Sequence, residues 1–316
     1  MVMQKKLFLR RTNRIKRSRY IFCLTMAAIP VLQFCIMWIG TKLQSIVLAF
    51  QHYENAAGGT GYDITFGGFD NFVKAFGFFK KNAILFKNSF ILFAFTLLIG
   101  TTLALVFSFY VYKKYTCSGL FKTVLFMPQV ISGLIFATIF RYIVTDGYIF
   151  LVKHFTGEQV LGLLDNVDTR FGVIIFFNIW ISFSVNVLMY SGAMSGINES
   201  VVESAKLDGA NAIQEFFHIS LPLIYPTLVT FTVMNFAGVF TNMYAVLDLL
   251  GVTGANELAN VGYWLYATAS GATYVEMYNK PTFSVLSACG LILTAILMPI
   301  TLLVKRFMEK YGPSVD

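Results

Sequence analysis

Six long apolar runs divide this chain, and shorter polar segments separate them. Each run contains about the 20 mostly apolar residues that a helix needs to cross the hydrocarbon core of a membrane. A spanning segment must satisfy its own backbone hydrogen bonds, and the runs lack the alternation typical of membrane β-barrels. The pattern therefore predicts an all-α integral membrane protein with six transmembrane helices. The predicted spans are residues 20–40, 89–112, 120–143, 171–193, 222–249 and 282–304.

The first polar segment after a span, residues 51–87, carries a short helical pattern. Its apolar positions recur at i, i+3, i+4 and i+7, at Phe69, Phe72, Val73 and Phe76. One apolar face on a short helix predicts an amphipathic helix over residues 71–80 that lies along the outer membrane surface. Five glycines between residues 58 and 68 predict a turn-rich loop before it.

Composition and charge support a membrane location. The chain is 57% hydrophobic and 13% charged, and its mean hydropathy is +0.68, whereas a soluble domain has roughly 25% charged residues. The net charge is +8, but eight of the 24 Lys and Arg residues lie within residues 1–19, just before the first apolar run. This position favours the inner surface of the membrane, with its lipids as the partner, over nucleic acid.

The basic residues also predict the orientation. With six spans, both termini lie on the same side, and the segments on that side carry 15 Lys and Arg residues against seven on the other. The positive-inside rule then places both termini in the cytoplasm. The predicted organisation is a basic cytoplasmic tail (1–19), a six-span domain (20–305) and a second cytoplasmic tail (306–316).

The sequence contains no pattern typical of a catalytic, metal or nucleotide site. The three histidines are scattered without an HExxH motif, and the four cysteines form no CxxC pair. No GxxxxGK[ST] motif occurs, so the chain has no phosphate-binding loop of that kind. The clustered carboxylates or nucleophile–base pairs of a membrane enzyme are missing too. If ATP drives this protein, another subunit must bind it.

One predicted cytoplasmic loop, residues 199–226, differs from the others because it has the signals of two short helices joined by a turn. Ser200 and Glu203 have the spacing of a capping box for the first helix. Gly209 permits a backbone conformation that a side chain would resist. Asn211 can cap the second helix, with Gln214 three residues later. Pro222 suits the first turn of the fifth span, since its missing N–H is not needed there.

The same loop resembles the EAA loop of bacterial ABC importer permeases. Residues 203–226 read ESAKLDGANAIQEFFHISLPLIYP, and the family pattern is E-A-A-x-x-D-G-A-x-x-x-Q-x-F-x-x-I-x-L-P-x-x-x-P. Ser204 departs from it at the first Ala, a change between small residues. The matching positions are Glu203, Ala205, Asp208, Gly209, Ala210, Gln214, Phe216, Ile219, Leu221, Pro222 and Pro226.

Shorter motifs make the chain similar to the carbohydrate branch of that family, the maltose- and glycerol-phosphate-type permeases. They are the G-x-x-N-F of residues 68–72, Asn88 with Ser89, and Met127 and Pro128 before Ile131. The basic tail is more typical of the first of the two paired permeases. Residues 253–255 (Thr-Gly-Ala) replace the T-x-G-G-P that is common in the family, which leaves the sugar class open.

The resemblance implies a transport subunit in a bacterial cytoplasmic membrane, with no bond-making chemistry of its own. Such a permease pairs with a second homologous permease and with two ATPase subunits, which bind ATP and Mg. An extracytoplasmic solute-binding protein delivers the sugar, and the paired permeases alternate access to a site near mid-membrane. The residues expected to couple to the ATPase are Glu203, Ala205, Asp208, Gly209, Gln214, Phe216, Leu221 and Pro222.

Polar residues within two predicted spans are candidates for the substrate pathway. In span four they recur every four residues and share one broad face, at Asn178, Ser182, Asn186 and Tyr190. In span five, Asn235 and Asn242 are seven residues apart and are expected to share a face. Polar groups inside a span tend to face the bundle or a cavity. Hydrogen bonding between helices is the alternative role for the same residues.

Other transporter classes stay open at this point. An ABC permease for an oligopeptide, amino acid or phosphate has a similar loop, although the G-x-x-N-F motif and the D-G-A…Q-x-F form favour carbohydrate. An ion-coupled secondary transporter predicts ionisable residues at the centres of spans, and these spans have almost none.

Overall fold

The computed structural model describes residues 20–55, 62–251, 256–270 and 283–313. Five helices are long and apolar enough to cross a membrane, and a bent pair of helices makes a sixth candidate. The five are α1 (Tyr20–Ala49), α3 (Ala83–Tyr112), α5 (Gly133–Thr156), α6 (Arg170–Ser195) and α12 (Phe283–Tyr311). The bent pair is α8 (Ala212–Leu223) with α9 (Tyr225–Gly238). The predicted all-α membrane fold is confirmed.

The shorter elements lie between these helices. They are the strands β1 (Gln51–Asn55) and β2 (Tyr62–Phe66) and the helices α2 (Asp70–Lys81), α4 (Ser118–Val130), α7 (Glu199–Leu207), α10 (Val246–Leu250) and α11 (Val261–Ala269), with a 3₁₀ turn at Asn256–Leu258. Several long helices contain π turns, for example at Thr96–Gly100 in α3.

The chain forms two compact units. Of the described residues, those within 1–75 and 282–291 form the first unit, and those within 76–281 and 292–316 form the second. In the first unit, β1 and β2 form an antiparallel hairpin that pairs Gln51 with Phe66. The Asn71 amide donates to the main-chain oxygens of Ala49 and Gln51, at 2.9 and 2.8 Å, which joins the end of α1 to the hairpin and the start of α2.

The hairpin was not predicted, since the glycines of residues 51–87 indicated only turns. Three of them, Gly58, Gly59 and Gly61, lie outside the described residues, as does the predicted tail of residues 1–19. The amphipathic helix expected over residues 71–80 is present as α2. Val73 and Phe76 on this helix, and Phe69 just before it, are all more than half exposed. Its position on the membrane surface stays a prediction.

In the second unit, α3 packs along α6. The Ser108 hydroxyl on α3 donates to the main-chain oxygen of Val187 on α6, at 3.1 Å. The two helices share a cluster of buried side chains with α4 and with Ile224, the residue between α8 and α9. The cluster consists of Ala104, Phe109, Leu125, Val187, Tyr190, Met194 and Ile224. This core holds α3, α4 and α6 together at one end of the spans.

The third predicted span, residues 120–143, is wrong as a single helix. Two helices cover it, α4 and α5, because Ile131 and Ser132 adopt extended backbone conformations with ψ of 143° and 130°. Pro128 lies in α4 and cannot donate a backbone hydrogen bond, which weakens the helix shortly before it ends. The part long enough to span a membrane is α5, which continues to Thr156.

The fifth predicted span, residues 222–249, is wrong in the same way. Its helix begins at Tyr225, after a bend of 66° from α8, and ends at Gly238. Turns follow, and Tyr244 and Ala245 take left-handed conformations with φ of 48° and 53° before α10 begins. Span six, in contrast, is longer than predicted, since α12 stays helical to Tyr311 and includes part of the predicted C-terminal tail.

Candidate functional site

The predicted cytoplasmic loop, residues 199–226, begins with α7. Asn198 caps this helix, since its side-chain oxygen accepts from the backbone N–H of Ser200 at 3.1 Å. The predicted capping box of Ser200 and Glu203 is therefore wrong. Ser200 lies inside the first helical turn, whereas Asn198 has the extended backbone, with ψ of 124°, that a capping residue needs.

The turn after α7 depends on Gly209. Its φ is +83°, the left-handed conformation that the sequence predicts there. The N–H groups of Gly209 and Ala210 donate to the main-chain oxygens of Lys206 and Ala205, at 3.1 and 3.0 Å, which closes the end of α7. The turn occupies residues 208–211, and α8 begins at Ala212.

A capping box fixes the start of α8, as predicted. Asn211 and Gln214 exchange hydrogen bonds in both directions at 2.9 Å, each side chain accepting from the other's backbone N–H. The helix then passes through a π turn, Phe216–Ser220, and ends at Leu223. Pro222 therefore lies in the last turn of α8, and Pro226 occupies the first turn of α9, a correction to the predicted place of Pro222.

The loop places its predicted coupling residues in two groups. Glu203, Asp208, Gly209 and Gln214 are exposed, whereas Ala205, Phe216, Leu221 and Pro222 are partly buried. Apolar side chains on both helices are also exposed: Leu207 is 88% exposed and Ile213 is 70% exposed. Val201 and Phe217 are exposed to a smaller degree. We call Val201, Leu207, Ile213 and Phe217 the exposed apolar residues of the loop.

A buried ion pair joins the loop to the end of α3. The Lys113 ammonium lies 2.7 and 2.6 Å from the two carboxylate oxygens of Glu215. Only 15% of the lysine side chain and 4% of the glutamate side chain are exposed. Sequence reasoning missed this pair, because residues 102 positions apart carry no pairing signal in one sequence. The one hint in the sequence is that Glu215 is a charged residue directly followed by apolar residues.

Comparison with known families identifies the chain. Residues 96–316 match the model of the binding-protein-dependent transport system inner membrane component. The chain belongs to this family. The predicted resemblance to ABC importer permeases is thereby confirmed, and the protein is a multi-pass permease subunit of a transport system and not an enzyme.

Curated relatives agree with that assignment. The permease is 32% identical over 214 residues to the probable ABC transporter permease protein MG188 homolog of Mycoplasma pneumoniae. That match covers 63% of this chain and 63% of the Mycoplasma protein, just under two thirds of its length. This chain is also 25% identical over 260 residues to the sn-glycerol-3-phosphate transport system permease protein UgpA of Salmonella typhi. That match covers 79% of this chain and 82% of UgpA.

Solved structures confirm the fold. The permease superposes on a chain of a bacterial ABC transporter involved in the import of the acidic polysaccharide alginate, with a TM-score of 0.73 and 19% identity. A second structure, of a bacterial alginate ABC transporter in complex with an alginate pentasaccharide-bound periplasmic protein, gives a TM-score of 0.74. Each match covers 94% of this chain and 98% of the other.

The candidate pathway residues of α6 have mostly structural contacts in this permease. The Asn178 amide donates to the main-chain oxygens of Ile174 and Tyr244, at 2.8 and 2.6 Å. Asn186 is buried and donates to the Ser182 hydroxyl at 3.2 Å. Tyr190 is 1% exposed and belongs to the buried cluster that α3, α4 and α6 share. Hydrogen bonding and packing thus account for these three.

The two asparagines predicted to share a face of span five do not do so. Asn235 lies on α9 and donates to the main-chain oxygen of Phe231 within the same helix. Asn242 lies beyond the end of α9, and its side-chain oxygen accepts from the N–H of Tyr244 at 2.8 Å. The main-chain oxygen of Asn242 accepts from the Asn260 amide. The helix ends at Gly238, between the two residues, so a separation of seven positions does not place them on one helical face.

Titratable residues form no metal site in the described ranges. No group of three or more His, Cys, Asp or Glu residues there is placed to hold a metal ion. The four cysteines are free thiols, of which Cys289 is buried. The Thr-Gly-Ala of residues 253–255, which replaces the common family motif, lies outside the described residues.

Proposed function

We propose that this permease forms half of the translocation pathway of an ABC importer for a sugar or oligosaccharide. It couples to a separate ATPase through the loop of residues 199–226 and works by alternating access. The observation that carries the proposal is the geometry of this loop. Two capped helices meet at the left-handed Gly209, present apolar side chains to the exterior and lead directly into α9.

The exposed apolar residues of the loop suit a protein partner. Leu207 and Ile213 are largely exposed on a segment that is otherwise held by caps and a buried ion pair. Large apolar side chains at the centre of a contact contribute most of the binding energy in many interfaces. We assign them, together with Glu203, Asp208 and Gln214, to contact with the ATPase. Phe216, Leu221 and Pro222 brace the loop, and Ala205 and Gly209 shape it.

The sequence and the family support an external ATPase. The chain has no GxxxxGK[ST] motif, so ATP and Mg bind in partner subunits in this proposal. A second homologous permease completes the pathway. A solute-binding protein on the outer side supplies the substrate, a partner that is present in one of the alginate transporter structures. The charge distribution supports a bacterial cytoplasmic membrane location with both termini inside.

Carbohydrate is the substrate class that the relatives support. UgpA belongs to a system for sn-glycerol 3-phosphate and the structural neighbours to alginate import, and both of these solutes carry hydroxyl groups. The motifs at residues 68–72 and 203–226 favour the same branch. Among the predicted pathway residues, Asn235 on α9 is partly exposed and its amide contacts an oxygen of its own helix, so we propose it for contact with a sugar in the pathway.

The test is copurification from native membranes through a tag on this chain, followed by uptake in liposomes that contain the purified complex. We expect an ATPase, a second permease and a solute-binding protein in the complex, and ATP-dependent uptake of a labelled sugar. The panel contains maltose, glycerol 3-phosphate, an oligopeptide, an amino acid and phosphate. Uptake of only the last three contradicts the sugar assignment. Uptake that persists without an ATPase contradicts the ABC mechanism and favours an ion-coupled transporter.

Loop variants sharpen the same test. Leu207→Asp and Ile213→Asp place a charge at the proposed contact, and we expect each to abolish copurification of the ATPase. Lys206→Gln, an exposed change on the same helix as Leu207, serves as the control and should leave the complex intact. Retention of the ATPase by both Asp variants would show that the loop is not the docking element.

A further inference from the structure

We propose that the ion pair between Lys113 and Glu215 fastens the coupling loop to the inner end of α3. A displacement of the loop then reaches the second span directly, in addition to the fifth span, which follows the loop in the chain. This inference rests on the proposed function, because it assigns a positioning role within the coupling step. Neither residue belongs to the motif that identifies the loop.

The pair is built to be rigid. Both carboxylate oxygens of Glu215 accept from the one Lys113 ammonium at 2.6–2.7 Å, and both side chains are nearly excluded from solvent. Attraction between opposite charges is stronger in such surroundings than in water. Removal of one partner leaves the other charge buried without compensation, which strongly disfavours separation of the two groups. The loop and α3 therefore move as one body.

Aromatic side chains complete the joint. The Lys113 ammonium lies 5.7 Å from the centre of the Phe109 ring, within the range of a cation–π interaction. The Phe109 ring in turn packs edge-on against Phe216, with centroids 5.2 Å apart. Phe109 belongs to α3 and Phe216 follows Glu215 in α8. The apolar and ionic contacts therefore join the same two helices.

The connection from the loop to α3 matters because the direct connection along the chain, from α8 to α9, is bent. Between α8 and α9 the chain turns by 66° at Ile224, whose φ and ψ of −91° and 1° lie outside the helical region. A bend in the backbone can absorb part of a displacement. The ion pair bypasses the bend and reaches α3, which is itself joined to α6 through Ser108 and Val187. The loop can therefore act on three spans.

Burial also excludes a docking role for these two residues. Glu215 is 3% exposed, so its carboxylate is not available to an ATPase, in contrast to the exposed Glu203. The pair acts within this chain. Its two residues are positioning residues whose effect appears in how the loop moves, and not in whether the ATPase binds.

The test measures the distance between nitroxide labels on the loop and on the end of α3. Labels are placed at Lys206→Cys and Lys114→Cys, both exposed, in a background in which Cys23, Cys35 and Cys117 are replaced by Ser. The tagged chain is studied in its copurified complex in lipid nanodiscs, without nucleotide and with Mg-ATP and vanadate. We expect one narrow distance that is the same in both states.

Five variants separate fastening from folding. Lys113→Gln and Glu215→Gln each remove one charge, and we expect loss of the single narrow distance. Lys113→Arg keeps the charge and should retain it, as should the control Lys122→Gln on α4. The double variant of Lys113→Met with Glu215→Met removes both charges and so leaves none buried alone. It should assemble normally and still lose the narrow distance.

The outcomes test the fastening role and the proposed function separately. A narrow, nucleotide-independent distance in both Gln variants and in the Met double variant overturns the fastening role. A wild-type distance that changes with Mg-ATP overturns it as well. If the Gln variants fail to assemble, the Met double variant alone decides. Failure of any ATPase to copurify with the wild-type chain would contradict the proposed function, while the nucleotide-free distances still test the ion pair.

Discussion

The side-chain amide of Asn178 on α6 donates to the main-chain oxygen of Tyr244, 66 residues further along the chain, at 2.6 Å. Tyr244 is buried and has a φ of 48° in the irregular segment that follows α9. The bond therefore anchors a non-helical stretch of the fifth predicted span to the middle of the fourth. In a membrane protein, irregular backbone needs such a partner, because lipid offers no hydrogen bonds.

Asn178→Leu should destabilise the protein by about 1 kcal/mol, since the Tyr244 oxygen would be left buried without its partner. Thermal unfolding in detergent measures the change. Asn235→Leu is the matched control, because the Asn235 amide contacts only an oxygen of its own helix. Equal destabilisation by the two changes would show that the bond between the segments contributes nothing.

Asn198→Ala should loosen the first turn of α7, with a local loss of about 1 kcal/mol, because the Ser200 N–H loses its acceptor. Hydrogen exchange of the amides of residues 199–207 reports this loss. Ser200→Ala, two residues later and inside the helix, should leave exchange unchanged. Faster exchange in the Ser200 variant alone would favour the capping box that the sequence suggested over the cap seen in the structure.

Gly209→Ala should destabilise the loop by about 1–2 kcal/mol, which is the strain of a left-handed conformation for a residue with a side chain. No atom lies within 4 Å of the added carbon, so the effect comes from the backbone alone. Gly192→Ala on α6 also has open space around it but no positive φ, and there the change should stabilise by up to about 1 kcal/mol. Thermal unfolding of both variants measures the difference.

Gly209→Asp tests the role of the same turn in coupling. We expect the subunit to insert in the membrane and the complex to hydrolyse ATP, while uptake of labelled sugar per ATP falls, because the turn no longer holds α7 and α8 at their angle. Uptake and phosphate release in the same liposomes give the ratio. Sugar uptake at the wild-type rate would show that this turn does not transmit the movement.

Gly262→Ala should destabilise by about 1–3 kcal/mol through overpacking. The new carbon would lie 2.5 Å from the main-chain oxygen of Asn242 and 2.8 Å from its carbonyl carbon, so backbone must move. Gly172→Ala on α6 meets nothing within 4 Å and is the control. Similar unfolding temperatures for the two variants would contradict the close approach of α11 to the segment after α9.

The amino-acid sequence by itself determined the features that depend on neighbouring residues. Apolar runs located the membrane helices, because a helix in lipid satisfies its own backbone and needs only length and apolar side chains. The left-handed turn at Gly209 and the cap formed by Asn211 and Gln214 were predictable for the same reason: each involves residues at most a few positions apart. The motif of residues 203–226 then identified the family.

Only the tertiary structure decided what depends on distant partners. Apolar composition is the same on both sides of a break, so hydropathy did not locate the ends of helices at Val130 and Gly238. Asn178 was predicted as a pathway residue from its polarity, and only the structure gave its amide a partner at Tyr244. Lys113 and Glu215 looked like ordinary loop charges, yet folding buries them against each other. Pairings of this kind arise from packing between helices, and a single sequence contains no local signal for them.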